Sequence, residues 1–232
     1  MHSINLKAVP EDYAYCPQEI VDGINVLPPG IVGIATAFLG RYREFDVCLD
    51  DAWFPPESEM LWCMGIDPCH HFNQMVEKMY SDNKFQWVWI LGDDHTFPAD
   101  LWWNLYQRNV DIVVPLCLKK DRPPRPLLEH GDYNLSYWDW IKGRSGLMPW
   151  DGTVGNAGML IRRSVFDEME APWFRAGVHD PGHSSSDLNF CRCIQRLGFI
   201  VNVDLDNPIG HLQHYAVWPK RDEDGVWKTI WV

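Results

Sequence analysis

A chain of 232 residues with 46% hydrophobic and 22% charged residues has the composition of a globular protein and suits one large α/β domain better than two. Its 32 acidic against 20 basic residues give a net charge of −12, which argues against a protein that grips a polyanion by broad electrostatic attraction. Seven scattered cysteines without paired CxxC blocks speak against a disulfide framework, no run approaches the roughly 18 apolar residues of a membrane span, and no leader pattern is seen, so the expectation is a cytoplasmic protein without a membrane span.

Residues 1–30, broken by Pro10, Pro17, Pro28 and Pro29, read as an irregular N-terminal strap. The apolar run 31–37 is a first central strand. A loop region to Pro56 leads to a strand over 59–64, and Pro68, placed for a first helical turn, opens a helix through Met75, Val76 and Met79. A strand over 86–91, an acidic turn, a helix from Pro98 or Ala99 to about Asn109 and a buried strand over 111–117 follow. Residues 121–151 break this rhythm with prolines and aromatics and read as a long active-site loop with short strands. The alternation resumes with a strand over 159–161, a helix from Ser164, a helix from Ser186-Asp187 to Leu197 with Gly198 as its C-cap, and a strand over 199–203. Strands alternating with helices predict an α/β fold, a mostly parallel central sheet between helical layers. Residues 215–232 form a C-terminal tail with the makings of a hairpin.

The chemistry concentrates where Trp87-Val88-Trp89-Ile90-Leu91-Gly92 stops on Asp93-Asp94-His95. Ligands of open α/β sheets bind beyond the carboxyl ends of strands. Two adjacent carboxylates repel unless a cation or a shared proton lies between them, so a divalent ion on oxygen ligands is the economical account. The bland account is an acidic turn capping the next helix. Ser184-Ser185-Ser186-Asp187 at a helix start and Ile209-Gly210-His211 after a late strand complete the set. Asp187 reads as a base or as a cap, and His211 as a ligand or as a structural histidine, with His214 as the competing choice. Lys119, Lys120, Arg122 and Arg125, and the pair Arg162-Arg163, are the local basic candidates, the two lysines also as contacts to diphosphate or acceptor. Among the 13 tryptophans most should be core, with Trp138, Trp140, Trp150 and Trp173 as candidate stacking platforms.

Order and wording of these segments resemble the nucleotide-sugar glycosyltransferases of the GT-A fold, in particular the large inverting family with bacterial and phage members, over residues 31–214. The stretch Trp89-Ile90-Leu91-Gly92-Asp93-Asp94-His95-Thr96-Phe97-Pro98 resembles that family's strand and DxD motif. Gly155-Asn156-Ala157-Gly158-Met159-Leu160-Ile161-Arg162-Arg163 resembles its acceptor-side segment, and Ser186-Asp187-Leu188-Asn189-Phe190-Cys191 the segment that carries the catalytic base. The resemblance implies Mn2+ or Mg2+ held by Asp94, Asp93 and His211, a nucleotide-diphosphate sugar donor received by Ala35, Thr36 and Ala37 with Asn73, Asp93 and Asp94, and Asp187 as base for an inverting transfer. It departs from the family in having Gly92 where the first acid of DxD falls, and Ser186 where Glu is common. The implied acceptor is a glycan or small-molecule hydroxyl, with a modified DNA base as the alternative. A nucleotidyltransferase would want a Gly-rich basic loop near the first strand, which 33–40 lacks. A non-catalytic carbohydrate-binding protein would have no use for Asp94, Asp187 and His211 together.

Overall fold

The computed structural model describes residues 3–5, 16–36, 42–121, 123–129, 137–176, 185–213 and 216–231. The elements run β1 (Ser3–Asn5), α1 (Gln18–Asn25), β2 (Ile31–Thr36), α2 (Arg43–Asp51), β3 (Glu59–Met64), α3 (Pro68–Tyr80), β4 (Trp87–Gly92) and β5 (His95–Thr96). Then come α4 (Leu101–Gln107), β6 (Ile112–Pro115), β7 (Leu128–Glu129), α5 (Tyr137–Ile141), β8 (Leu147–Trp150), β9 (Thr153–Val154), β10 (Met159–Arg162) and α6 (Arg163–Asp167). The chain closes with α7 (Ser186–Arg196), β11 (Val201–Asp204), β12 (Gly210–Leu212), β13 (Ala216–Arg221) and β14 (Trp227–Trp231).

Strands β2 and β4 are apolar on both faces because both faces are covered. Ile31, Val88 and Ile90 pack with Met75, Val76 and Met79 of α3 and Phe190, Cys191 and Ile194 of α7. The alternate residues Val32, Ile34, Trp87, Trp89 and Leu91 pack on the other side, with Phe45 and Leu49 of α2 and Leu101, Trp102 and Leu105 of α4. Period-two alternation through one sheet thus builds a Rossmann-like α/β/α sandwich, each fully buried aliphatic side chain contributing about 1.5–3 kcal/mol.

The main sheet has the order β1-β3-β2-β4-β10-β6-β11-β8. Strands β3, β2, β4, β6 and β11 run one way, and β1, β10 and β8 the other. The expected parallel sheet is therefore interrupted at β10, which lies antiparallel between β4 and β6. One consequence matters for function. Met159 pairs with Ile90, so the turn 155–158 that precedes β10 is delivered to the same sheet edge as the acids after β4.

Two helices occupy segments that read as irregular. Helix α1, inside residues 1–30, buries only Val21 and Ile24, and α2, inside the expected loop, only Phe45 and Leu49. Within 121–151 the structure places β7, α5 and β8, with β8 joining the main sheet on β11. The tryptophans expected as platforms are mostly packing residues. Trp150 is buried and donates Nε1–H to the Thr153 carbonyl, Trp140 stands edge-on against it, Trp173 stacks on Tyr80 and Trp138 packs on the core. No helix among the described residues is long and apolar enough to cross a membrane.

A second sheet of order β14-β13-β12-β5 ties the C-terminal part to the acidic turn. Strands β13 and β14 form an antiparallel hairpin, and Trp227 of β14 is buried with its Nε1–H donated to the Ile141 carbonyl. Pairing of β12 with β5 sets His211 opposite His95.

Candidate metal and nucleotide site

Gly92 ends β4 with Asp94 and His95 folded back over it. The Gly92 N–H donates to His95 Nδ1 at 3.1 Å, and a Cβ at Gly92 would lie 2.8 Å from Asp94 Oδ1 and 3.1 Å from His95 Cε1. A side chain at this position would displace the carboxylate, which gives a geometric reason for adjacent acids in place of spaced ones.

Asp94 is the point on which the site converges. Its Oδ2 lies 3.3 Å from His211 Nε2 and 2.5 Å from Lys120 Nζ, and its Oδ1 lies 3.7 Å from His95 Nε2. The main chain adds a further tie, Leu212 N–H donating to the Asp94 carbonyl at 2.6 Å. His211 Nδ1 sits 2.8 Å from the Leu118 carbonyl. A carbonyl only accepts, so Nδ1 carries a proton and Nε2 is the nitrogen turned toward Asp94. A histidine whose far nitrogen is anchored this way is the usual companion of a metal ligand. Three segments, 93–96, 116–120 and 209–213, are thereby knitted around one carboxylate.

The electrostatics follow from this crowding. Burial works against the charge of Asp94, yet the His211, His95 and Lys120 side chains hold its carboxyl well below the usual range. Burial also disfavours a charged His211, but its hydrogen bonds to Asp94 and Cys117 outweigh that and raise it to about 10. For His95 burial wins over the attraction of Asp94, and its value falls to about 4. His95 is thus neutral, with Nδ1 accepting from Gly92 and the proton on Nε2, facing Asp94.

His95, Cys117 and His211 offer ligand atoms within 4.8 Å of one another. His95 has no lone pair to spare in its neutral state, because the one on Nδ1 receives the Gly92 N–H. It orients Asp94. The pair that could hold a cation directly is Asp94 with His211, and Cys117, buried beside them, adds a sulfur within reach of a softer ion. The roles of His95 and Cys117 had no signal in the sequence beyond adjacency to an acid and to a strand end.

Asp93 turns the other way. Its Oδ2 accepts the Thr36 hydroxyl in a short hydrogen bond, and its N–H donates to the Ala35 carbonyl at 3.3 Å. The structure therefore brings Ala35, Thr36 and Asp93 together at the ends of β2 and β4, and separates the two acids by task. Ala37, His214 and Asp180 lie outside the described residues. Asn73 is brought to a different neighbourhood. Its Nδ2 donates to the Cys69 and Phe174 carbonyls at 2.8 Å each and its Oδ1 accepts the Phe174 N–H at 3.1 Å, so the amide clamps a backbone segment.

Asp187 lies in the first turn of α7 and is half-buried, with Oδ1 accepting the N–H of Leu188 at 2.9 Å. Its charge acts on Lys119 and on Cys69. Of the basic candidates Arg122 lies outside the described residues, and the others are engaged by this chain's own groups. Lys119 pairs with Glu129, Arg125 with Asp121 and Glu129, and Arg163 caps the Phe85 carbonyl while lying over Tyr80. Arg162 donates to the Val110 carbonyl and lies over Tyr106. In the 155–158 turn, Asn156 buries both its amide oxygen and nitrogen without a partner among the described residues.

In sequence comparisons neither a family model nor a curated protein matches this chain. Among solved structures it is similar to A197 from STIV, with TM-score 0.56 and 12% identity over 87% of this chain and 93% of that one. At this identity the likeness establishes the fold. The nucleoside-diphosphate-sugar pyrophosphorylase from Vibrio cholerae RC9 aligns at TM-score 0.37 and 8% identity over 86% of this chain and 82% of that one, too distant to bear on the site.

Proposed function

We propose that this chain is a metal-dependent glycosyltransferase of the GT-A type that moves a sugar from a nucleotide diphosphate to a hydroxyl acceptor with inversion. The observation that carries the reading is the pairing of Asp94 Oδ2 with His211 Nε2, while His211 Nδ1 is anchored on the Leu118 carbonyl. One anionic oxygen and one oriented imidazole suit Mn2+ better than Mg2+, which favours oxygen alone. When bound, the ion would offset the charge that develops on the leaving diphosphate.

The remaining roles belong to the chain's own groups. Asp93 and Thr36, joined at the ends of β4 and β2, are assigned to the nucleoside side of the donor together with Ala35. Asp187 is assigned the acceptor proton, because a carboxylate in hydrogen-bond reach takes it as the new bond forms. Asn156, with a buried amide and no described partner, suits a hydroxyl-bearing sugar. Glycan or small-molecule hydroxyls are favoured as acceptors over a modified DNA base, since Lys119, Lys120 and Arg125 are engaged by acids of the chain itself.

The test is a calorimetric screen of UDP-, GDP-, TDP- and CMP-sugars with Mn2+ and again with EDTA. Binding of one nucleotide class that disappears on chelation is the expected result. Equal affinity with and without EDTA would remove the metal from the proposal, and no binding of any donor would remove the activity.

A further inference from the structure

Lys120 occupies an unusual place for a lysine in a segment rich in alternatives. Its neighbour Lys119 turns to Glu129, yet Lys120 reaches inward and sets Nζ 2.5 Å from Asp94 Oδ2, the oxygen that His211 Nε2 faces at 3.3 Å. Both side chains of this ion pair are 29% exposed, so it is shielded without being sealed. The backbone beneath is fixed on both sides. The Lys120 carbonyl accepts from Gln213 Nε2 at 3.2 Å, and the Leu118 carbonyl is held by His211. Only the flexible four-carbon stem of Lys120 is free to choose between positions.

A divalent ion on Asp94 Oδ2 and an ammonium hydrogen-bonded to the same oxygen would be two cations at close quarters, repelling strongly in a half-buried site. They compete for one seat. We infer that Lys120 is a tethered counter-ion that exchanges with the cation: it neutralises Asp94 before the ion arrives and moves to the donor's diphosphate once the ion has taken its place. This rests on the proposed function of the site and adds to it an order of events and a second positive contact for the diphosphate. The ammonium leaves one anion, Asp94, for another that arrives with the nucleotide, so Lys120 keeps an anionic partner at both stages.

The inference is tested on the full chain with Lys120→Met and Lys120→Arg, using two probes. Mn2+ alone is titrated by calorimetry in the absence of nucleotide, and UDP and GDP are titrated in saturating Mn2+. Removing the competitor should tighten Mn2+ binding to Lys120→Met by roughly threefold to tenfold, the range expected for a partly shielded ion pair. The same variant should bind the nucleoside diphosphate more weakly than the parent, while Lys120→Arg, which keeps a cation on the segment, should show neither tightening nor loss of comparable size. Thermal melting of each variant reports folding, and a variant that melts with the parent keeps the comparison valid; should Lys120→Met melt early, Lys120→Gln takes its place. Mn2+ binding of equal strength in parent and Lys120→Met would overturn the exchange alone. Absence of Mn2+ binding in both would overturn the reading of the site, and the exchange with it.

Discussion

Asp94 and His211, 117 residues apart in the chain, meet at 3.3 Å because β12 pairs with β5 and sets His211 directly opposite His95. Replacing Asp94 with Ala should therefore abolish Mn2+ binding and the metal-dependent part of nucleotide affinity, since the site loses its anionic ligand. Asp93→Ala should spare Mn2+ binding and weaken the nucleotide, because Asp93 is spent on Thr36 at the end of β2. Calorimetry with Mn2+ and with UDP or GDP separates the two variants. Loss of Mn2+ binding in Asp93→Ala of the same size as in Asp94→Ala would mean that both acids share the ion.

The same pair sets a pH dependence. His211 stands above its ordinary value of 6.5, raised to about 10 by Asp94 and Cys117 against burial. Its stabilising contribution in the metal-free protein is thus complete below about 6.5 and lost as pH rises through about 10. Melting temperature measured in EDTA should fall across this window in the parent and fall less in His211→Asn. An ion on Nε2 must displace that proton, so Mn2+ affinity should rise with pH, and binding should release about one proton near neutrality. Titrations in buffers of different ionisation enthalpy count that proton, and a count of zero in the parent would exclude His211 as a ligand.

Gly92 invites a reversal. Gly92→Asp would restore the spaced acids of a DxD motif, yet it should lower Mn2+ affinity, because the new Cβ would lie 2.8 Å from Asp94 Oδ1 and 3.1 Å from His95 Cε1. Tighter Mn2+ binding in this variant would show that the acid spacing, and not the fold of the turn over Gly92, governs the site.

How far the sequence could be read depended on what kind of signal each feature leaves. The strands β2 and β4 were legible as short continuous apolar runs covered on both faces, and the helices α3 and α7 by their start signals, Pro68 and Ser186-Asp187, ahead of apolar positions at helical spacing. Helices α1 and α2 were not, although both are amphipathic, since each is short and buries only two apolar side chains, and α1 sits among the prolines Pro17, Pro28 and Pro29. The direction of β10 was not legible either, as an apolar run carries no sign of which way it is threaded. In the candidate site, Asp94 and His211 were found by order and wording, and the structure brings them together. The split between Asp93 and Asp94, the place of His95 beside Asp94 and the Lys120 ion pair depend on side-chain directions, which sequence spacing does not encode.

Asn73 separates a structural amide from a donor contact. Asn73→Ala leaves the Phe174 N–H and carbonyl without their Asn73 partner, at a cost of about 1–3 kcal/mol for each buried group left unsatisfied. A drop in melting temperature of several degrees with unchanged affinity for the nucleoside diphosphate is the expected outcome. Weakened nucleotide binding in a variant that melts with the parent would return Asn73 to the donor side.

Asp187 poses the sharpest choice, because the carboxylate assigned as base in the proposed reaction already carries a local hydrogen bond. Its Oδ1 accepts the Leu188 N–H in the first turn of α7, where the N-cap residue Ser185 makes no side-chain capping bond. Asn can accept the same N–H, and it replaces Asp at helix starts at little cost in stability. It cannot take a proton from an acceptor hydroxyl. Asp187→Asn should therefore melt close to the parent and bind Mn2+ and donor nucleotide with parental affinity, while sugar transfer falls by roughly 10²–10⁴. The three measurements together distinguish chemistry from capping: a helix start that merely needed an acceptor would leave transfer intact. An active, normally stable Asp187→Asn protein would remove the base assignment and direct attention to a retaining mechanism or to another carboxylate, with Asp180, outside the described residues, as the first to replace.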